Sequence, residues 1–226
     1  MLLPLSGIGI SAQSMLQPGS KILFVGNGKV GSEGGLHNHF RRTMARMDKP
    51  IAVETDWIAM YGMQTLDQML TDELQQRIKT GNDDIIVVQS GALPALEKFA
   101  ALIAASDKRM VVYGVWPDNP FPEGNSLESF TSQNHSIYRA LKQFENRTGI
   151  PVAPCGLTYQ YLMADKPHGY PLRPDFMFTP EGSNLNDFSC LVNLAMLYAT
   201  MTGKNPVGPP VWNPLSSWQS AVGSWQ

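Results

Sequence analysis

Gly26-Asn27-Gly28-Lys29-Val30-Gly31 follows the apolar run Lys21–Val25 and has the spacing G-x-G-x-x-G. At a strand-to-helix turn, that spacing lets backbone N–H groups approach a pyrophosphate, and an acidic residue about 20 positions on accepts from a ribose hydroxyl. Glu54, 23 residues after Gly31, has the position for that acid. The chain then continues Ser32-Glu33-Gly34-Gly35. Two glycines in a first helical turn cost about 1 kcal/mol each relative to alanine. The helix is therefore expected to start near Leu36, which leaves a loop long for a tight pyrophosphate turn. A dinucleotide site on Gly26, Gly28, Gly31 and Glu54 is one reading of these residues.

The second group is Pro180-Glu181-Gly182-Ser183-Asn184-Leu185-Asn186-Asp187. It sets a carboxylate and an amide three positions apart, just ahead of a helical pattern. Nucleophile candidates are Ser32, Ser90 and Ser183, with Lys29, His37, His39 and His135 as candidate bases. A serine–lysine or serine–histidine pair drawn from them would support covalent ester chemistry. Most have ordinary readings: Ser32 and Ser90 as turn residues, Lys29 as a solvated cation, His168 as part of a surface turn. His37 and His39 are two apart and point to different helix faces, whereas a helical metal pair needs i, i+4. No metal site and no cofactor is expected.

The elements that would position these groups follow from periodicity. Near-continuous apolar runs lie at Lys21–Val25, Pro50–Glu54, Asp84–Val88, Met110–Trp116 and Ile150–Pro154. Such runs mark parallel strands buried on both faces. Between them, Leu36–Met47, Gln64–Lys79, Pro94–Ser106 and Ser126–Thr148 carry apolar residues at helical spacing, and a last helix covers about 186–202, closed by Gly203. Five βα units predict an α/β fold: a three-layer αβα sandwich around a five-stranded parallel sheet. Ligands in such a sheet bind at the carboxyl ends of the strands. There, Trp57, Tyr61, Trp116, Tyr159 and Tyr161 would offer a stacking wall if they share one mouth.

Composition narrows the function classes. The chain has 226 residues, 43% of them apolar, enough for one well-filled domain. Its net charge is −2 with no basic stripe, which argues against a nucleic-acid partner. No apolar run approaches the length of a membrane span. The first residues, Met1-Leu-Leu-Pro-Leu-Ser-Gly-Ile-Gly-Ile-Ser-Ala, resemble the later part of a signal peptide without its basic leader. A periplasmic or secreted location is expected from this, with a cytoplasmic one as the alternative. Cys155 and Cys190 are expected to be buried free thiols rather than a disulfide framework.

Taken in order along the chain, these blocks resemble the SGNH (GDSL-like) hydrolases. Leu23-Phe24-Val25-Gly26-Asn27, with Gly34-Gly35-Leu36 and Asn38-His39-Phe40-Arg41-Arg42, is similar to the family's first block, whose strand ends Gly-Asp-Ser or Gly-Asn-Ser. Tyr61-Gly62 with Thr65-Leu66 resembles the second, Asp84–Gln89 a third strand that ends in glutamine, and Val115-Trp116-Pro117 a Thr-Trp element. Val152-Ala-Pro-Cys-Gly156 and Leu197–Pro206 match a strand and a helix ending that flank an Asp-Gly-x-His segment. The resemblance spans about 21–208. It implies a flavodoxin-like sheet of order 2-1-3-4-5, with residues 1–20 as an arm and 209–226 as a Pro/Trp/Ser tail.

The resemblance also implies where a catalytic triad would stand. The nucleophile position is Gly28, the acid position Glu181 and the base position Asn184. Glycine has no hydroxyl, and an amide accepts no proton near neutral pH. Loss of such a triad typically lowers turnover about a million-fold. Asn27, Gly62, Gln89 and Trp116 remain as implied ligand-binding positions. The expectation is a non-catalytic or severely impaired homologue that binds a small ester, an acetylated carbohydrate or a partner in the old cleft. An esterase with a relocated nucleophile is the alternative alongside the dinucleotide reading.

Overall fold

The computed structural model describes residues 14–31, 34–59, 65–116, 127–164 and 187–204. Five strands form one parallel sheet: β1 (Lys21–Gly26), β2 (Glu54–Ala59), β3 (Ile85–Gln89), β4 (Arg109–Gly114) and β5 (Val152–Pro154), in the order β2-β1-β3-β4-β5. The helices are α1 (Gly28–Gly31), α2 (Leu36–Ala45), α3 (Asp72–Thr80), α4 (Leu93–Ala104), α5 (Leu127–Thr148), α6 (Cys155–Ala164) and α7 (Asp187–Thr202). The strand order reverses between β1 and β3, so both run out into the same crevice.

Each inner strand is apolar because both of its faces are covered. β3 (Ile85-Ile-Val-Val-Gln89) is buried along its whole length. Phe24, Val87 and Val111 pack with Phe40, Met44 and Leu197 on one face. Leu23, Ile86 and Val112 pack with Leu74, Phe99 and Phe144 on the other. The result is two apolar layers about the sheet, as a doubly wound fold requires.

The second strand lies later than its sequence pattern suggests. The apolar stretch Pro50–Glu54 forms the approach, and β2 itself runs Glu54–Ala59. This edge strand has one neighbour and is half-exposed, so it needs no continuous apolar run. Thr55, Trp57 and Ile58 give it strand preference instead. The helix expected over Gln64–Lys79 also starts later. Leu66 and Met69 have helical spacing but belong to turns, and Thr71 caps α3 by accepting from the Leu74 N–H at 3.3 Å.

Beneath the carboxyl end of the sheet, the core contains a polar core layer. Asn193 of α7 is fully buried; its Nδ2 donates to the Tyr113 hydroxyl at 2.7 Å, and its Oδ1 accepts from the Tyr159 hydroxyl at 2.5 Å. Tyr138 donates to the Gly114 carbonyl and accepts from the Gly156 N–H at 2.9 Å, joining α5 to the end of β4 and the first turn of α6. A buried hydroxyl that loses its partner bears the full desolvation cost. Asn193→Ala is therefore expected to destabilise the chain by about 2–4 kcal/mol, from the lost donor to the Tyr113 hydroxyl and a small cavity, while the Tyr159 hydroxyl keeps the Ser189 carbonyl at 3.1 Å; the measure is a lower urea midpoint at unchanged slope.

Candidate functional site

The site is built on the turn that leaves β1. Asn27 supplies the cap for α1: its side-chain oxygen accepts from the Lys29 N–H at 3.0 Å, and its carbonyl accepts from Val30 at 3.0 Å. The chain thus enters a helical turn at Gly28, earlier than the start near Leu36 that the glycine content suggests. That turn is brief, and the longer helix α2 does begin at Leu36. Gln89, at the end of β3, accepts from the Asn27 N–H at 3.0 Å and ties the turn to the neighbouring strand.

Gly26 makes this geometry possible. A Cβ there would lie 2.3 Å from Val30 Cγ2 and 2.6 Å from Gln89 Oε1. Among the fingerprint glycines, Gly26 is therefore set by packing inside the protein rather than by the approach of a phosphate. Glu54 adds a second geometric objection to the dinucleotide reading. It pairs in register with Lys21 at the amino end of the sheet, and its carboxylate lies 3.4 Å from the Lys21 ammonium. The crevice opens at the other end, where Gly26 pairs with Ala59. A ribose acid would have to stand there.

Lys29 is not the solvated cation its sequence position suggests. It is 4% exposed, and its Nζ donates to the Trp116 carbonyl at 2.9 Å and sits 5.1 Å from the Trp116 ring centre. A carbonyl and an aromatic face are both favourable surroundings for an ammonium removed from water. Trp116 is itself 1% exposed and packs at 4.9 Å against Tyr159, which is also buried. These two rings make a floor under the turn rather than a stacking wall.

The aromatic side chains expected to share one mouth are dispersed. Trp57 lies half-buried on β2, stacked at 5.1 Å and 11° on His37. Tyr161 lines a groove beside β5. The structure brings together Asn27, Gly28, Gln89 and, through Lys29, Trp116. Gly62, Glu181 and Asn184 lie outside the described residues, as do Tyr61, Ser32, Ser183 and His168.

Two of the alternative residues, Ser90 and His135, are engaged elsewhere. The Ser90 hydroxyl accepts from the Val115 N–H at 2.9 Å and so serves the β3–β4 connection. His135 contacts Gln160, ring nitrogen to amide at 2.9 Å, on the outer side of α5. Cys155 and Cys190 are buried and not joined in a disulfide, as expected, and burial pushes the Cys155 thiol well above its usual range. A thiol held protonated is a poor nucleophile. Neither periodicity nor spacing signals the Lys29–Trp116 contact, because their 87-residue separation closes only through the sheet order.

No protein-family model and no curated protein matches the chain. Solved structures do. An acetylxylan esterase from Geobacillus stearothermophilus superposes with a TM-score of 0.62 and 11% identity, over 87% of this chain and 100% of that one. Catalytic mutants of that enzyme replace a serine, an aspartate and a histidine, the last two three positions apart. An acetyl xylan esterase superposes at 0.57 with 13% identity, over 79% and 98% of the two chains. A GDSL-like lipase from Bacteroides thetaiotaomicron does so at 0.51 with 14% identity, over 80% and 87%. The chain therefore has the SGNH-hydrolase fold, as the sequence resemblance implied.

His37 gives this end of the molecule an acid sensitivity. It is 6% exposed, and its Nδ1 has no hydrogen-bond partner among the described residues. Burial lowers its pKa from 6.5; Arg41 and His39 add to the lowering, and Asp56 opposes it. The folded chain keeps the imidazole neutral while the unfolded chain takes up a proton near the ordinary value. Stability is thus intact above 6.5 and is lost progressively as pH falls below it, toward the lowered folded value. His37→Phe, which keeps a ring against Trp57, is expected to flatten the fall in urea midpoint between about pH 7 and about pH 5.

Proposed function

We propose that this chain is a non-catalytic or severely impaired SGNH-type homologue that keeps the old cleft as a binding site for a small ester or an acetylated carbohydrate. One observation carries the reading. The turn that leaves β1, where the sequence resemblance puts the serine of an SGNH esterase, is capped on Asn27 and tied to Gln89, and it carries a glycine at position 28. Gly28 offers no oxygen to attack a carbonyl.

The second half of the reading concerns Glu181 and Asn184. They are three positions apart and precede the last helix, the same spacing as the aspartate and histidine altered in the catalytic mutants of the Geobacillus enzyme. With an amide in the base position, no group there can take a proton from a nucleophile or hand one to a leaving group. Gly62 and Gln89, with Asn27, are the positions proposed to hold a ligand carbonyl, and Trp116 holds Lys29 of the same turn. The acetylxylan esterases among the structural neighbours favour an acetylated sugar as ligand class. The signal-like first residues favour a periplasmic or secreted setting. No helix among the described residues is long and apolar enough to cross a membrane.

Titration of the isotope-labelled protein with acetylated xylo-oligosaccharide tests this directly. The expected result is saturable shifts of the Asn27, Gly28 and Gln89 amide signals with no release of acetate over hours. Absence of shifts at these residues would remove the ligand assignment, and steady acetate release would remove the non-catalytic one.

A further inference from the structure

Away from that cleft, a groove of about 760 Å³ lies along the outer edge of the sheet, beside β5. Its volume lies in the range of small-molecule sites. The β5 edge within it resists pairing with another strand. β5 has three residues, Pro151 precedes it and Pro154 ends it, both without an N–H, and the Val152 N–H is taken by the Glu145 carboxylate at 3.1 Å. An occupant must therefore bind through the side chains of α5, α6 and α7.

Those side chains divide by wall. From α6 and α7 come Leu157, Thr158, Tyr161, Met196, Ala199 and Thr200, none of them charged. The Thr158 hydroxyl donates to the Pro154 carbonyl at 3.1 Å and the Thr200 hydroxyl to the Met196 carbonyl at 2.8 Å, so both protons are spent on backbone. The charge comes from α5, where Arg139, Lys142 and Asn146 recur three and four apart and share one stripe of the helix. Glu145 is engaged on both oxygens, one by the Val152 N–H and the other by the Lys142 ammonium at 2.8 Å. Arg139 forms no hydrogen bond or ion pair among the described residues. The groove thus has an uncharged wall facing one whose uncommitted charge is a guanidinium.

That division matches a molecule with an apolar chain and an anionic head. A guanidinium can receive a carboxylate on two parallel N–H groups, and an alkyl chain gains from leaving water carbon by carbon. Arg139 to Asn146 is seven residues of α5, or about 10 Å. A saturated chain of ~1.5 Å bonds at tetrahedral angles advances about 1.3 Å per carbon, so about eight carbons beyond the head span that length. We propose that the groove beside β5 binds an unesterified medium-chain fatty carboxylate, its head on Arg139 and its chain against Leu157, Met196 and Ala199.

Calorimetric titration of the full-length chain with sodium decanoate, kept below its micelle concentration, tests this. One saturable site is expected. Arg139→Gln should weaken it about tenfold, and Arg139→Glu should abolish it, because a carboxylate then meets a carboxylate. Arg139 is exposed, so both variants keep the core. Ala199→Trp, which fills the groove from the opposite wall, should also abolish binding. In the isotope-labelled protein, decanoate should move the Leu157, Thr158 and Ala199 amide signals and leave those of Asn27 and Gln89 in place. Heat that never saturates, or an affinity unchanged in Arg139→Glu, would overturn the proposal. Shifts confined to Asn27 and Gln89 would overturn it too, since the chain would then lie in the cleft, and the reading of that cleft stands or falls separately.

Discussion

The site rests on a close approach that only glycine permits. At Gly26 the end of β1 passes so near Val30 and Gln89 that any side chain would collide with both. The missing Cβ lets Gln89 reach across from β3 to the Asn27 N–H, and Asn27 in turn caps α1. Those contacts fix the direction in which residue 28 is presented. In an esterase of this fold such rigidity would aim a nucleophile. Here the same contacts hold up Gly28, a position with no side chain.

Beneath the turn, the interior is more polar than the apolar strands suggest. The Lys29 ammonium lies under the turn on the Trp116 carbonyl and ring, and Trp116 leans on Tyr159. Tyr159 and Tyr113 meet through Asn193. This chain of contacts runs from α1 through β4 and α6 to α7. Buried polar groups are costly unless each finds a partner, and a layer of this kind fixes one arrangement of the helices about the sheet. It therefore links the shape of the cleft to the stability of the fold.

The fold was legible because the inner strands advertise themselves. Runs such as Ile85-Ile-Val-Val leave one reading, a strand covered on both faces, and the helices between them fix a parallel sheet. β2 was misplaced by four residues at its start because an edge strand carries a weaker signal than the apolar residues leading into it. The same shift misplaced Glu54. Read as the end of a strand it could serve a ribose, whereas at the start of β2 it faces the wrong end of the sheet. Lys29 and the aromatic rings were misjudged for another reason. Burial of a single side chain depends on partners far away in sequence, and neither periodicity nor spacing reports them. The glycine at position 28 and the amide at 184 needed no structure to be noticed, only a resemblance in block order that single residues could not carry.

The proposed reading stands on Gly28 and Asn184, which offer neither a hydroxyl nor an imidazole at the proposed nucleophile and base positions. The most direct measurement is the rate of p-nitrophenyl acetate hydrolysis by the purified natural chain, set beside a variant with both groups restored, Gly28→Ser with Asn184→His. The natural chain is expected to stay at the buffer rate while the restored variant rises above it and becomes labelled by a fluorophosphonate at residue 28. Turnover by the natural chain at ordinary esterase rates would contradict it.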